Sequence, residues 1–178
     1  MQIDDLPGEL ILWVLIVSEV LVFAAGLSAM VVMGLRDPAG FAAAQAQLDG
    51  RMAALNTVVL VTSGLFAARA ERDAAANRRA RARLNLALAA LGGVIFLALK
   101  GLEYSRDIRA GLGMDGQPFY TFYYLLTGFH AAHVIAGVAV LGLVAIRARP
   151  APVQAGAMFW HMVDLVWVLI LPFIYLIW

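Results

Sequence analysis

The chain has 178 residues, of which 63% are apolar and 14% are charged, whereas soluble domains are about 45–50% apolar and about 25% charged. A soluble domain of this size could not bury so much apolar surface, so the composition indicates a membrane protein. The net charge of +1 gives no indication of nucleic-acid binding. Because the sequence has no cysteine, it excludes disulfides, thiolate metal centres, iron–sulfur clusters and covalently attached c-type haem.

Five apolar segments are long enough to cross a bilayer, which requires about 20 helical residues. None of them alternates as the strands of an outer-membrane barrel do, so the sequence predicts an all-α bundle of five membrane helices in one domain. Asp5 is expected to be the N-cap of the first span, with Pro7 in its first turn. The predicted spans are 10–35, 52–70, 84–104, 120–146 and 156–178.

Most arginines lie in the connections that share a side with the N-terminus. Since cytoplasmic loops are enriched in basic residues, this distribution predicts that the N-terminus is cytoplasmic and the C-terminus is outside, which is the periplasmic side if the membrane is a bacterial inner membrane. The stretch 68–83 is predicted to form a tight helical hairpin whose arginines contact anionic lipid, with a partner-docking face as the alternative. Loop 37–50 is predicted to contain a short surface helix. The arginines on the same side as the N-terminus are Arg69, Arg72, Arg78, Arg79, Arg81, Arg83, Arg147 and Arg149.

Ionisable side chains at membrane depth are costly, so they are the first candidates for function. Residues three apart share a helix face, and their depths are compatible with a buried cluster of Glu19, His133 and Asp164. Asn56, in the second span, is a further candidate for an interhelical polar contact. The ionisable candidates are Glu19, Lys100, Glu103, His130, His133, His161 and Asp164.

Several kinds of site are compatible with these residues. His130, His133 and Asp164 could ligate a metal, although the sequence F-H-x-x-H has no glutamate placed as a general base. His130 and His133 share a face, so together they cannot ligate one haem from both sides, whereas either of them with His161 could do so despite their different depths. Glu19 fits a proton-conducting chain, a carboxyl bonded to a neighbouring helix, or a lipid contact. No serine lies in the strained turn that a hydrolase nucleophile requires.

Other residues predict how the bundle packs. Gly128, Gly137 and Gly142 in the fourth span are expected to permit close helix contact. Aromatic residues at the start of that span are expected to form a belt at the membrane interface. The residues of this predicted belt are Phe119, Tyr120, Phe122, Tyr123 and Tyr124.

An ordered set of motifs resembles subunit III of the haem–copper oxidases. The set begins with Ser18-Glu19-Val20, Leu55-Asn56-Thr57 and Glu103-Tyr104. It continues with T-G-F-H-A-A-H-V-I-A-G at 127–137 and F-W-H-M-V-D-L-V-W at 159–167. The last two motifs are specific, whereas S-E-V alone is weak. The resemblance runs in order over nearly the whole chain.

The resemblance implies a non-catalytic accessory subunit with no metal or haem of its own. Such a subunit packs beside a haem-bearing large catalytic subunit, binds structural phospholipid and supports proton uptake. By motif, Glu19, His130 and His133 correspond to lipid-binding or proton-related positions. The family's interhelical or docking positions are occupied here by Lys100, Glu103, His161, Asp164 and Asn56. Longer family members have additional N-terminal spans, and this chain resembles the shorter form.

Within the family, two branches are compatible with the sequence. The segments Leu6–Leu10, Lys100–Tyr104 and Leu171–Leu176 resemble the subunit-III-like proteins associated with bacterial nitric oxide reductase. Ser18-Glu19 departs from that branch, where Gly-Asp is common, and resembles the third subunit of cytochrome c or quinol oxidases. A function of another class is an independent membrane proton conductor or metal enzyme that uses Glu19, His133 and Asp164.

Overall fold

A computed structural model describes residues 10–114 and 116–178, so the predictions for Asp5 and Pro7 lie outside the described residues. The prediction of an all-α protein with five candidate membrane spans is confirmed, because five of the helices are long and apolar enough to cross a bilayer. A sixth helix, α2, is short. The helices are α1 (Leu10–Arg36), α2 (Pro38–Gln45), α3 (Gly50–Ala75), α4 (Arg79–Arg109), α5 (Pro118–Arg147) and α6 (Pro150–Tyr175).

The predicted hairpin between the second and third spans is confirmed as the connection between α3 and α4. Both helices continue beyond the apolar segments, and only residues 76–78 join them. Asn77 adopts a left-handed conformation with φ of 56°, which asparagine tolerates better than most residues. Asp73 then accepts from Arg78 Nε at 2.9 Å and from Asn85 Nδ2 at 2.9 Å. These contacts fix the turn that the sequence located.

The long helices run alternately up and down, and α3, α4, α5 and α6 form a four-helix core. In this core α4 packs against α3 and α5, and α6 packs against α3 and α5. Helix α1 packs on the outside, against α5 and α6, through residues of its second half, Phe23, Leu27, Met30 and Gly34. We call the side with the α3–α4 connection the hairpin end, and the side with Trp178 the C-terminal end.

Helix α2 closes the C-terminal end of the bundle. Asp37 caps it by accepting from Gly40 N at 3.0 Å, and Phe41 and Gln45 are buried beneath it. Gln45 Nε2 donates to the carbonyl of Ile174, and Gln45 Oε1 accepts from Trp178 N, both at 3.0 Å. The short helix is therefore where the sequence predicts it, but one of its faces is part of the core.

Two packing predictions need correction. Gly137 faces the ring of Trp160, as close packing requires, but Gly142 faces open space and Gly128 meets only the Tyr104 hydroxyl. The predicted interface belt is wrong for three of its members, because Phe119, Tyr120 and Tyr123 are buried. Their positions near a helix end suggested a membrane interface, yet they face α4 and α2 rather than lipid.

Candidate functional site

Glu19 and His133 form a pair between α1 and α5. The carboxylate Oε2 of Glu19 lies 3.0 Å from His133 Nε2, and His133 Nδ1 lies 2.9 Å from the carbonyl oxygen of Phe129. Phe23 and Phe129 make T-shaped contacts with the imidazole ring, at centroid distances of 5.6 and 4.7 Å. The Glu19 side chain keeps 25% of its surface exposed and that of His133 keeps 15%. Both residues therefore stand at the bundle surface rather than inside it.

His130, three residues before His133 on α5, faces the core. It is fully buried, and neither ring nitrogen has a hydrogen-bond partner among the described residues. Aromatic rings surround it, with Phe96 at 5.5 Å and Trp167 at 5.2 Å between centroids. The two histidines thus share a helix but not an environment, and only His133 reaches Glu19.

Asp164 lies in a different site. Its carboxylate lies 3.7 Å from Nδ1 of His161, one turn earlier on α6, and packs against Gly64 of α3. The prediction of a cluster of Glu19, His133 and Asp164 is therefore wrong for Asp164, and only Glu19 and His133 are in contact. The reason is that Asp164 faces α3, whereas Glu19 and His133 meet between α1 and α5. In residues 10–114 and 116–178, no group of three His, Cys, Asp or Glu side chains could hold a metal ion.

The densest polar site lies near the C-terminal end, between α4, α5 and α6. Lys100 Nζ, buried in this site, donates to Glu103 Oε1 at 3.0 Å and to the Tyr175 hydroxyl at 2.7 Å. Tyr175 donates to the same Glu103 oxygen at 2.5 Å. The Tyr123 hydroxyl lies 2.8 Å from Glu103 Oε1 and 2.9 Å from Asp107 Oδ2. We call these residues, Lys100, Glu103, Asp107, Tyr123 and Tyr175, the C-terminal cluster.

Aromatic rings close the C-terminal cluster around the ammonium group. Lys100 Nζ lies 4.7 Å from the ring centroid of Tyr123, 5.2 Å from that of Tyr104 and 5.5 Å from that of Trp167. Ring faces attract a cation more strongly when water is excluded. Side-chain exposure is only 2% for both Lys100 and Glu103. The sequence placed these two residues at the end of a span, but the structure shows a sealed ion pair.

Sequence reasoning missed three members of this cluster. Asp107 follows Glu103 by four residues and Lys100 by seven, which is the spacing of one helix face, so this signal was available. Tyr123 and Tyr175 carried no such signal, because their hydroxyls meet α4 only through the tertiary fold. Asn56 was predicted as an interhelical contact; it is buried, and its amide atoms have no partner among the described residues.

Comparison with known proteins identifies the family. A family model described as cytochrome c oxidase subunit III matches residues 8–178. The chain belongs to the cytochrome c oxidase subunit III family. It is 31% identical over 182 residues to a probable cytochrome c oxidase subunit 3 of Nocardia farcinica, covering 94% of this chain and 85% of that protein.

Two further relatives differ from this chain in length. Cytochrome c oxidase subunit 3 of Prototheca wickerhamii is 33% identical over 129 residues, which are 68% of this chain and 48% of that protein. The chain thus spans about half the length of this and several other relatives that it matches. A heme-copper oxidase subunit I+III of Aeropyrum pernix is 30% identical over 186 residues, 93% of this chain and 22% of that protein.

Proposed function

We propose that the chain is a non-catalytic accessory subunit of a respiratory complex of the haem–copper oxidase superfamily. In this role it assists assembly, binds phospholipid and supports proton uptake by a haem-bearing catalytic subunit. Family membership over residues 8–178 supports the proposal. The relative from Aeropyrum pernix supports the partnership, because its name joins subunits I and III in one protein. The chain itself would bring no redox centre to the complex.

The observation that carries this proposal is the half-buried pair of Glu19 and His133. Polar groups at membrane depth normally face the bundle interior or a water-filled cavity, because lipid tails offer them no hydrogen bonds. This pair instead lies between α1 and α5 at the bundle surface, partly exposed, and the first half of α1 exposes Val14, Val17 and Leu21. We infer that a partner subunit or a bound phospholipid covers this face in the complex.

The location follows from the same proposal. We propose a multi-pass protein of the bacterial inner membrane, with the hairpin end in the cytoplasm. The exposed arginines of the hairpin support this orientation. The natural absence of cysteine permits a direct test with single-cysteine variants. In intact spheroplasts, a membrane-impermeant maleimide should label Arg109→Cys and not Arg79→Cys, whereas the reverse pattern would contradict the orientation.

The partner's electron acceptor is a finer proposal. The segment Lys100–Tyr104 resembles the proteins associated with nitric oxide reductase, and we propose that branch. The second candidate is a cytochrome c or quinol oxidase, and the names of the relatives favour a cytochrome c oxidase. Consumption of nitric oxide and of oxygen by the purified complex distinguishes the two branches. Nitric oxide consumption supports the first candidate, and oxygen consumption alone supports the second.

Affinity purification of the full chain in mild detergent tests the accessory role. We expect a haem-bearing large subunit to co-purify, with a matching optical spectrum. Glu19→Leu should lower the amount of haem protein recovered per chain. Ser18→Ala is the matched control, because the Ser18 hydroxyl bonds only to Leu15 of its own helix, at 2.8 Å. A lone chain with stoichiometric metal, or one that conducts protons in liposomes, would overturn the proposal in favour of an independent enzyme or conductor.

A further inference from the structure

In the C-terminal cluster, one hydroxyl contacts two carboxyl groups, and both contacts can be hydrogen bonds only if one of those carboxyls is protonated. The Tyr123 hydroxyl lies within hydrogen-bond distance of two carboxylate oxygens, Glu103 Oε1 at 2.8 Å and Asp107 Oδ2 at 2.9 Å. A hydroxyl has one hydrogen, so it can donate to only one of them at a time. The other contact is a hydrogen bond only if that carboxyl is protonated and donates to the tyrosine oxygen.

The partners of Glu103 indicate which carboxyl is protonated. Glu103 Oε1 receives hydrogen bonds from Lys100 and Tyr175, so the charged form of Glu103 is already well satisfied. Its other oxygen, Oε2, has no partner among the described residues, so a proton placed there would find no acceptor. Asp107 is therefore the group that donates to Tyr123.

The balance of charge agrees with this assignment. Lys100 and Glu103 neutralise each other inside the cluster, so an ionised Asp107 would add a buried negative charge without a counter-ion there. Asp49, the N-cap of α3, is a further negative charge that repels an ionised Asp107. Arg106 and Arg109, in the last turns of α4, are exposed rather than buried beside Asp107. Around Asp107, α5 contributes Tyr120, Tyr123 and Tyr124, and α6 contributes Tyr175, all uncharged in their protonated form.

We propose that the C-terminal cluster is a proton-binding site, which holds one proton between Asp107 and Tyr123 and exchanges it with the aqueous phase at the C-terminal end. Access is through Asp107, which retains 7% exposure, against 1% for Lys100 and 0% for Tyr123. Uptake transfers a proton from hydronium to the Asp107 carboxylate and leaves water. Release reverses this step, and no electron is transferred. The inference does not depend on the proposed partner.

Infrared titration of the full chain in lipid nanodiscs tests the site without altering the sequence. A protonated carboxyl has a C=O stretching band that an ionised carboxylate lacks. Labelling the protein with [4-13C]aspartate should move the band to lower frequency, because the proton is on an aspartate. A band that stays in place would assign the proton to a glutamate and overturn the proposal. The band must also decrease as the bulk pH rises; a band indifferent to pH would contradict exchange with water.

A matched pair of variants locates the proton at Asp107. Asp107→Asn should remove one carboxyl from the band, whereas Asp37→Asn should leave it unchanged, since Asp37 is an exposed helix cap that asparagine can replace. An unchanged band in Asp107→Asn would overturn the site. Tyr123→Phe removes the acceptor for the Asp107 proton and should move the band to higher frequency. An unchanged frequency in that variant would overturn the role of Tyr123, and helical circular dichroism verifies folding of each variant.

Discussion

The C-terminal cluster and the Glu19–His133 pair place similar chemical groups in opposite environments. Each combines a carboxylate with a basic side chain, and in each the closest polar atoms are 3.0 Å apart. Lys100 and Glu103 are sealed by Tyr123, Tyr175 and neighbouring rings, whereas the second pair is partly exposed between α1 and α5. The first pair therefore has its counter-charge and the hydrogen bonds of Glu103 Oε1 within this chain. The second pair is the one for which we propose a cover supplied by another molecule.

Breaking the buried ion pair is the strongest way to test this contrast. Lys100→Met would leave Glu103 in the core without its counter-ion, and removal of one member of a buried pair costs about 3–5 kcal/mol. We expect a large drop in the thermal unfolding midpoint of the purified chain, measured by circular dichroism in detergent.

The double variant Lys100→Met with Glu103→Gln is the control for charge. Neutralising both members removes the uncompensated charge, so most of the lost stability should return. If the double variant is as unstable as Lys100→Met, the loss reflects packing around the lysine stem, and the contrast with Glu19–His133 is not electrostatic.

Filling the close contact between α5 and α6 should change the stability of the bundle by an intermediate amount. A Cβ at Gly137 would overlap the Trp160 ring, whereas nothing lies near one at Gly142. We expect Gly137→Ala to destabilise the bundle by about 1–3 kcal/mol through overpacking. Gly142→Ala should instead stabilise it by up to about 1 kcal/mol, because alanine is the better helix former. Unfolding midpoints that are equal for the two variants would show that Trp160 does not lie against Gly137.

The Glu19–His133 pair should contribute least to the stability of the isolated chain. A double-mutant cycle with Glu19→Leu and His133→Leu should give a coupling energy of about 0.6 kcal/mol, the average for interhelical hydrogen bonds in a membrane protein. Unfolding of the unmodified chain, the two single variants and the double variant in detergent supplies the four terms. A coupling as large as that of Lys100 and Glu103 would remove the distinction between the two regions.

The sequence predicts the scaffold well because bilayer thickness imposes a length on each apolar run. The turn at 76–78 was predictable, since polar and basic residues interrupt the apolar pattern there. The far end of α4 was not, because Arg109 lies in a helix that extends beyond the predicted span 84–104. Helix length outside the apolar region depends on capping and on contacts such as that between Asp73 and Arg78.

The sequence indicated which polar residues lie in the spans, but it predicted only some of the contacts between them. Helical spacing correctly joins Lys100 to Glu103, because both lie on one helix and need no tertiary information. The same spacing placed His130 and His133 on one face, yet one lies in an aromatic cage and the other at the surface. Residues three apart differ by about 60° around a helix axis, which suffices to separate the core from an interface.

The decisive measurement is the turnover of the partner complex followed over time, with and without this chain. The accessory role predicts that a complex lacking the chain, with an intact haem spectrum, starts at nearly the same turnover rate and then loses activity faster. Glu19→Gln, which keeps the size and a hydrogen bond to His133, should change the initial rate little. Immediate loss of turnover in a complex with intact haem would contradict the account, because the chain would then take part in the reaction itself.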